Sequence, residues 1–328
     1  MPLRTDDFDY HLPPELIADR PLAERAASRM LVVDRAAGSI RHHQFAEFPE
    51  FLTPGDLVVL NDTRVVPARY FSSDGAIELV RVDKLSDLRW QCLVRPGKKM
   101  RAGGQVRVGD ATGTVTDVLA DGTRIIAWDT PVDEDRHGHL ALPHYMNRDD
   151  DPADRERYQT VYAREEGAIA APTAGLHFTP EMLERVRHAF LTLHVGVGTF
   201  RPVKAEVVSE HAMHSERFVF SADCAAEIAA AQRVVAVGTT VTRVLEHLAS
   251  ISPDGRPQPA RGETDIFIYP PYQFRAVGAL LTNFHLPKST LMMLVSAFAG
   301  RELIMDAYAE AVREKYRFFS YGDCMLLI

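Results

Sequence analysis

Apolar and polar positions follow two different periods along the chain, and the change of period marks out its parts. In the second half, short β-rich runs precede stretches with helical spacing. GAIAAPT (167–173) reads as a strand leading into TPEMLERV, where Thr179 can cap a helix with Pro180 in its first position. FLTLHV (190–195) and RFVF (217–220) are β-rich, and the latter precedes SADCAAEIAAAQ with Ser221 as cap. RVVAVG (233–238) leads into TTVTRVLEHLAS; DIFIYP (265–270) and ALLTNF (279–284) predict two further strands. STLMMLVSAFAG (289–300) predicts a helix capped by Ser289 and stopped near Gly300, apolar almost all round and therefore buried. ELIMDAYAEAVREKY is amphipathic instead, with Leu303, Ile304, Ala307, Tyr308, Ala311 and Val312 on one stripe, and a last strand is expected in FFSYGDCMLLI. Strands separated by helices predict parallel pairing and an α/β domain.

Residues 70–142 obey the other period. AIELVRV, WQCLVRP, GQVRVGD, GTVTDV and TRIIAWD are short β segments separated by turn signals such as Gly103-Gly104, Gly109-Asp110 and Asp121-Gly122, with no helix expected among them. This predicts a small all-β barrel or sandwich inserted between helical and α/β segments (1–69 and 143–328). The run Asp149-Asp150-Asp151 reads as a solvated turn.

Composition narrows the class. At 328 residues, with 46% hydrophobic and 25% charged, the chain suits a soluble enzyme of one large or two modest domains. Its longest apolar stretch, Leu291 to Ala299, is far below the ~20 residues of a spanning helix, and the acidic start MPLRTDDFDY lacks a signal core. A cytoplasmic location without membrane attachment is expected. Cys92, Cys224 and Cys324 form no CxxC pair, so neither a disulfide framework nor a thiolate zinc site is expected. A net charge of −8 requires any nucleic-acid contact to use a local basic face.

Five strand-like segments run into polar, turn-rich loops: APTAGLHFT (171–179), HVGVGTF (194–200), VGTT (237–240), TNFHLPKST (282–290) and SYGD (320–323). In parallel α/β folds the loops after the strands share one rim, where ligands bind. HVGVGTF lacks the third glycine of a dinucleotide turn, since Arg201 stands there, and LPKST has Pro287 where a phosphate loop needs glycine. In HAMHSE (211–216), His211 and His214 on a helix would share a face and could hold a metal, or serve proton transfer with Glu216. His177 and His285 fit catalysis or structural hydrogen bonding equally. Arg243 either faces the rim or pairs with Glu246 one turn on. RPGKKMR (95–101) is the densest basic segment, suited to RNA phosphates or to shielding an edge strand.

Taken together, DFDYHLPPELIADRPLAERAASRMLVVD (7–34), GDLVVLNDTRVVPAR (55–69), RYQTVYA (157–163), GAIAAPTAGLHFT, TLHVGVGTFRPV, EHAMHSE, VGTTVTRVLE, TNFHLPKSTLMMLVSAFAG and YRFFSYGDCMLLI resemble the S-adenosylmethionine:tRNA ribosyltransferase-isomerases of queuosine synthesis. The resemblance covers essentially the whole chain except the β insert; Pro271 departs from a usual glycine. It implies a barrel-like α/β catalytic domain (1–69 and 143–328) carrying a β-barrel insert (70–142). It also implies transfer and isomerisation of the ribosyl portion of S-adenosylmethionine onto 7-aminomethyl-7-deazaguanine at the tRNA wobble position, giving epoxyqueuosine with adenine and methionine released. S-adenosylmethionine is then a consumed substrate, with no other cofactor and no metal, and a monomer is favoured.

On that resemblance, side-chain chemistry gives proton transfer to His177, His214, Glu216 and His285. Asp62, Asn283 and Asp323 are expected to hold hydroxyls or amines. Arg64, Arg243 and Lys288 are expected to meet carboxylate or phosphate, and Thr173, Thr199 and Thr239 to line the substrate site. Arg95, Lys98, Lys99 and Arg101 are the expected RNA contact. Two other classes compete: a metal-dependent hydrolase or lyase using HAMHSE, and a non-catalytic RNA-binding protein using the β module.

Overall fold

A computed structural model describes residues 2–146, 148–196, 198 and 203–328. Thr199 lies outside the described residues. The chain forms two compact units: residues 1–64, 144–147 and 156–328, and residues 65–143 with 148–155.

The first unit is built on a nine-stranded mixed sheet. In spatial order its strands are Ala260–Thr264, Glu216–Phe220, His188–Leu193, Asp56–Asn61, Arg233–Val237, Ala279–Asn283, Cys324–Leu327, Arg29–Asp34 and Ser39–Gln44. The four central ones, from His188–Leu193 to Ala279–Asn283, run parallel. Cys324–Leu327 is antiparallel to Ala279–Asn283 and parallel to Arg29–Asp34. Uniform parallel pairing is thus corrected at this point, for a topological reason. One crossover helix returns the chain to the edge where the previous strand began; the two successive helices Thr290–Ala299 and Arg301–Arg313 bring it back to the edge it left.

The helix starts follow the expected capping chemistry. Thr179 accepts from the Met182 N–H, Ser221 from Cys224 and Ser289 from Met292. Thr290–Ala299 buries residues around its circumference, whereas Arg301–Arg313 buries only Ile304, Ala307, Tyr308 and Ala311. The core beside the sheet combines Phe45, Phe48 and Phe178 with Val58, Leu60, Val235 and Leu281. Among the described residues no helix is long and apolar enough to cross a membrane.

Two expected strands move. The strand near 167 is Glu165–Ala168, because Pro172 has no N–H to pair and the chain turns there into the 3-10 helix Thr173–His177. DIFIYP is not a strand. Pairing instead uses Ala260–Thr264, while the carbonyls of Thr264 and Ile266 are taken by Arg243.

The second unit contains a six-stranded antiparallel sheet in the order Arg69–Phe71, Glu78–Ser86, Arg89–Arg95, Arg124–Trp128, Ala111–Val118, Gln105–Val108. Its core packs Tyr70, Trp90 and Trp128 with Leu79, Val106 and Ile126. A 3-10 turn, Gly97–Lys99, and a helical turn, Glu134–His137, are added to the expected strands. The acidic run is solvated only in part: Asp149 stays exposed, while the Asp150 side chain is buried. Asp149 pairs with Arg69, Asp150 accepts from His139 and the Leu140 N–H, and Asp151 caps the Ala153 and Asp154 N–H groups.

Candidate active site

Strand direction decides which residues can meet. The four parallel strands end at Leu193, Asn61, Val237 and Asn283, and the two opposed strands begin at Arg29 and Cys324 on the same edge. The loops at 171–179, 194–196, 237–240, 282–290 and 320–323 therefore share one rim.

The best-defined group on it is centred on His177. Asn283 donates through Nδ2 to the carbonyls of Phe319 (2.8 Å) and Ser320 (3.3 Å), which turns its Oδ1 toward His177 Nε2 at 3.0 Å. Nε2 must carry the proton, so Nδ1 accepts from the Ser28 hydroxyl at 2.9 Å. Burial pushes the His177 pKa down, opposed by the Asn283 hydrogen bond and the Asp323 charge and reinforced by Arg25 and Arg317. A neutral imidazole of fixed tautomer results. Gly175 makes the close turn possible, since a Cβ there would lie 2.0 Å from the Tyr162 hydroxyl. Asp323, also buried, accepts from the backbone N–H of Arg29 (2.9 Å) and Arg317 (2.8 Å) and from the Arg29 guanidinium.

Further along the rim, Asp62 is buried and accepts from Thr192 Oγ1 (2.6 Å) and Arg164 (2.7 Å). Burial raises its pKa against both partners. Asn61 ties the strand ends together, donating to the Leu193 carbonyl and accepting from the Leu193 N–H. Gly238, at φ +88°, places Thr239 as the first residue of the helix Thr239–Ile251. Thr173 opens its 3-10 helix half-buried, and Arg64 is exposed, 3.9 Å from Glu166.

Glu216 and Arg243 form a buried ion pair, 6% and 7% exposed. Glu216 also accepts from the Gly196 N–H at 3.0 Å. The alternative Arg243–Glu246 pair is corrected: Glu246 instead accepts from Tyr272 Oη and the N–H groups of Arg275, Ala276 and Val277. His214 lies against Gly198, where a Cβ would come 2.8 Å from its own Cβ. Residues 211–215 are not helical, so the shared helical face of His211 and His214 does not form. Among the described residues no three His, Cys, Asp or Glu side chains converge as metal ligands.

The expected proton-transfer residues are consequently not one cluster. The Glu216 and Asn283 strands are four positions apart, so His177 and Glu216 are separated by roughly 20 Å along the sheet, at ~4.8 Å per strand. His285 is buried, with its ring on Thr282 Oγ1 at 3.0 Å, its N–H on Tyr308 Oη and its carbonyl accepting from Tyr10. Burial pushes its pKa down to about 3, and its visible work is to hold the 282–290 loop. Lys288, at φ +58°, pairs with Asp6 and Asp9, which raise its pKa. In the other unit Arg95, Lys98, Lys99 and Arg101 are all exposed, and among the described residues no carboxylate reaches ion-pair distance of them.

The family described as "Queuosine biosynthesis protein" matches residues 5–327. The chain belongs to this family. It is an enzyme of the transferase-isomerase class. Relatives named S-adenosylmethionine:tRNA ribosyltransferase-isomerase include those of Symbiobacterium thermophilum, 51% identical over 346 residues, and Geobacter metallireducens, 50% identical over 344. Each alignment covers 99% of this chain and 100% of the relative. A crystal structure of the S-adenosylmethionine tRNA ribosyltransferase from Thermotoga maritima is 38% identical, with a TM-score of 0.57 over 98% of this chain and 100% of that one.

Several rim residues carried no separate signal in the sequence. Ser28 lies in an N-terminal segment distant from the loops, and Asn61, Thr192 and His194 sit at strand ends. Thr63 Oγ1 and His194 Nδ1 are 2.9 Å apart. The NDTR segment, read as a unit rather than for Asp62 and Arg64 alone, was the available signal for Asn61 and Thr63.

Proposed function

We propose that this enzyme transfers and isomerises the ribosyl portion of S-adenosylmethionine onto 7-aminomethyl-7-deazaguanine at the wobble position of tRNA, forming epoxyqueuosine and releasing adenine and methionine. Family membership supports the reaction class. The observation that carries the site assignment is the fixed tautomer of His177, whose basic Nδ1 faces the Ser28 hydroxyl at the rim.

The sulfonium acidifies the adjacent C5′ proton. Removing it starts the loss of adenine; the tRNA amine then attacks the opened sugar, and epoxide closure expels methionine. Ser28 and His177 form one proton-transfer station, with the Ser28 proton passing to Nδ1 as Oγ meets the substrate. His214 supplies a second station. Glu216, engaged by Arg243 and the Gly196 N–H, sets the loop that carries it. His285 holds its loop in place, and Asp62, Asn283 and Asp323 fix polar groups around the sugar and base. Thr173, Thr199 and Thr239 line the site. On the same reading the nine-stranded unit is the barrel-like catalytic domain, and 70–142 is an inserted β-barrel whose basic segment meets the anticodon stem. The protein works as a cytoplasmic monomer, without a metal or further cofactor.

Incubation with S-adenosylmethionine and tRNA carrying the aminomethyl-deazaguanine tests the proposal. Adenine release together with a mass increase of the wobble nucleoside is expected, and His177→Ala should slow both by 10²-fold or more. Absence of both products with the wild-type enzyme would refute it.

A further inference from the structure

Two segments of the chain bring guanidinium groups to the rim without a carboxylate at ion-pair distance among the described residues. Among the described residues Arg25 donates to the carbonyls of Leu176 and Glu156, and Arg157 Nη1 to that of Ala23. Among the described residues Arg157 Nε and Arg317 Nη1 are buried without a hydrogen-bond partner. Among the described residues no carboxylate reaches ion-pair distance of Arg25 or Arg157. Both line a small cavity with Ser28, His177, Ser320 and the exposed Glu24.

Half-burying positive charge with only carbonyls in hydrogen-bond contact is unfavourable, and an unpaired guanidinium N–H adds its own desolvation cost. The cations also act on one another and on the imidazole. Burial and then the Arg157 charge lower the Arg25 pKa against the opposing charge of Glu156, and the charge of Arg25 contributes to lowering that of His177. A bound anion would relieve all of these effects at once. The enclosed part of the cavity measures about 20 Å³, room for about one water or one carboxylate oxygen, and the space beyond it opens to solvent. Glu24 at its edge disfavours a phosphodiester but complements an ammonium.

We propose that Arg25 and Arg157 bind the α-carboxylate of the methionyl end of S-adenosylmethionine, with Glu24 facing its ammonium. This assignment rests on the function proposed above. It places the amino-acid end of the substrate beside Ser28 and His177, so that the sulfonium and C5′ follow along the rim.

Calorimetric titration of the whole protein with S-adenosylmethionine, L-methionine, L-methioninamide and inorganic phosphate tests it. L-methionine should bind at least tenfold more tightly than the amide, and phosphate should not displace it. Arg157→Ala should weaken S-adenosylmethionine binding at least tenfold, with partial recovery in Arg157→Lys and no change in the KM for tRNA. Equal binding of methionine and its amide would overturn the proposal, as would wild-type affinity in a folded Arg157→Ala variant. Displacement of methionine by phosphate, with tRNA binding weakened in the variants, would reassign the site to a phosphodiester. If Arg157→Ala fails to fold, the wild-type ligand series still decides. Failure of the ligand series while adenine release proceeds removes only this assignment; absence of adenine release with methionine discrimination intact removes only the transfer reading.

Discussion

Replacing Arg243 by Met removes one half of a buried ion pair and leaves the other in place. Glu216 would keep the Gly196 N–H but lose the guanidinium that pairs with it, at 6% exposure. The bonds from Arg243 to the Ile266 (3.3 Å) and Thr264 (3.4 Å) carbonyls are long, so the stranded carboxylate should dominate the effect. Breaking such a pair costs ~3–5 kcal/mol. For a unit of this size that is a fall in Tm on the order of 10 °C. Glu216→Gln in the same background removes the stranded charge, so the double variant should be less destabilised than the sum of the singles, by more than ~1 kcal/mol. Thermal and denaturant unfolding of all four proteins measures this. A loss below ~1 kcal/mol in Arg243→Met, or strict additivity, would refute the argument that the pair is buried and coupled.

Three further outcomes are expected. Burial holds the His285 imidazole at about 3 in the folded chain against 6.5 when unfolded, so between these values the unfolded chain binds a proton that the folded chain does not. The stability this contributes is complete above pH 6.5 and falls as pH drops, by up to ~1.4 kcal/mol per pH unit; His285→Gln should flatten the measured dependence between pH 6.5 and 4.5. Gly175→Ala places a Cβ 2.0 Å from Tyr162 Oη and should cost ~1–3 kcal/mol in chemical denaturation while slowing turnover through His177; an unchanged midpoint would contradict that crowding. Lys98→Glu with Lys99→Glu should raise the KM for tRNA several-fold and flatten its salt dependence, leaving the KM for S-adenosylmethionine unchanged in steady-state assays.

The sequence was most informative where one local rule decides the outcome. Thr179, Ser221 and Ser289 cap as their chemistry requires, and the period-two segments within residues 70–142 pair as strands. It was silent where long-range topology decides. The reversal of Cys324–Leu327 depends on two helices docking in succession, which no local period records. The loss of a strand at 265–270 depends on Arg243, more than twenty positions upstream, claiming the carbonyls of Thr264 and Ile266. The rim loops were legible as a set, because polar turn-rich segments recur after apolar runs. Their mutual order was not: four sheet positions separate the strand of Glu216 from that of Asn283, which holds His177. Ser28 and Arg157 were legible only as parts of larger motifs; the burial of Ser28 and of Arg157 Nε gives them meaning.

The central claim is that the carbon skeleton of the ribosyl group, not the methyl group, moves to tRNA. S-adenosylmethionine uniformly labelled with ¹³C in its ribose should be incubated with the enzyme and tRNA carrying 7-aminomethyl-7-deazaguanine, and the wobble nucleoside analysed by mass spectrometry. All five labelled carbons should appear in the product, with unlabelled adenine released in equal amount. A nucleoside that gains only the methyl carbon, or gains nothing while adenine accumulates, would contradict the account.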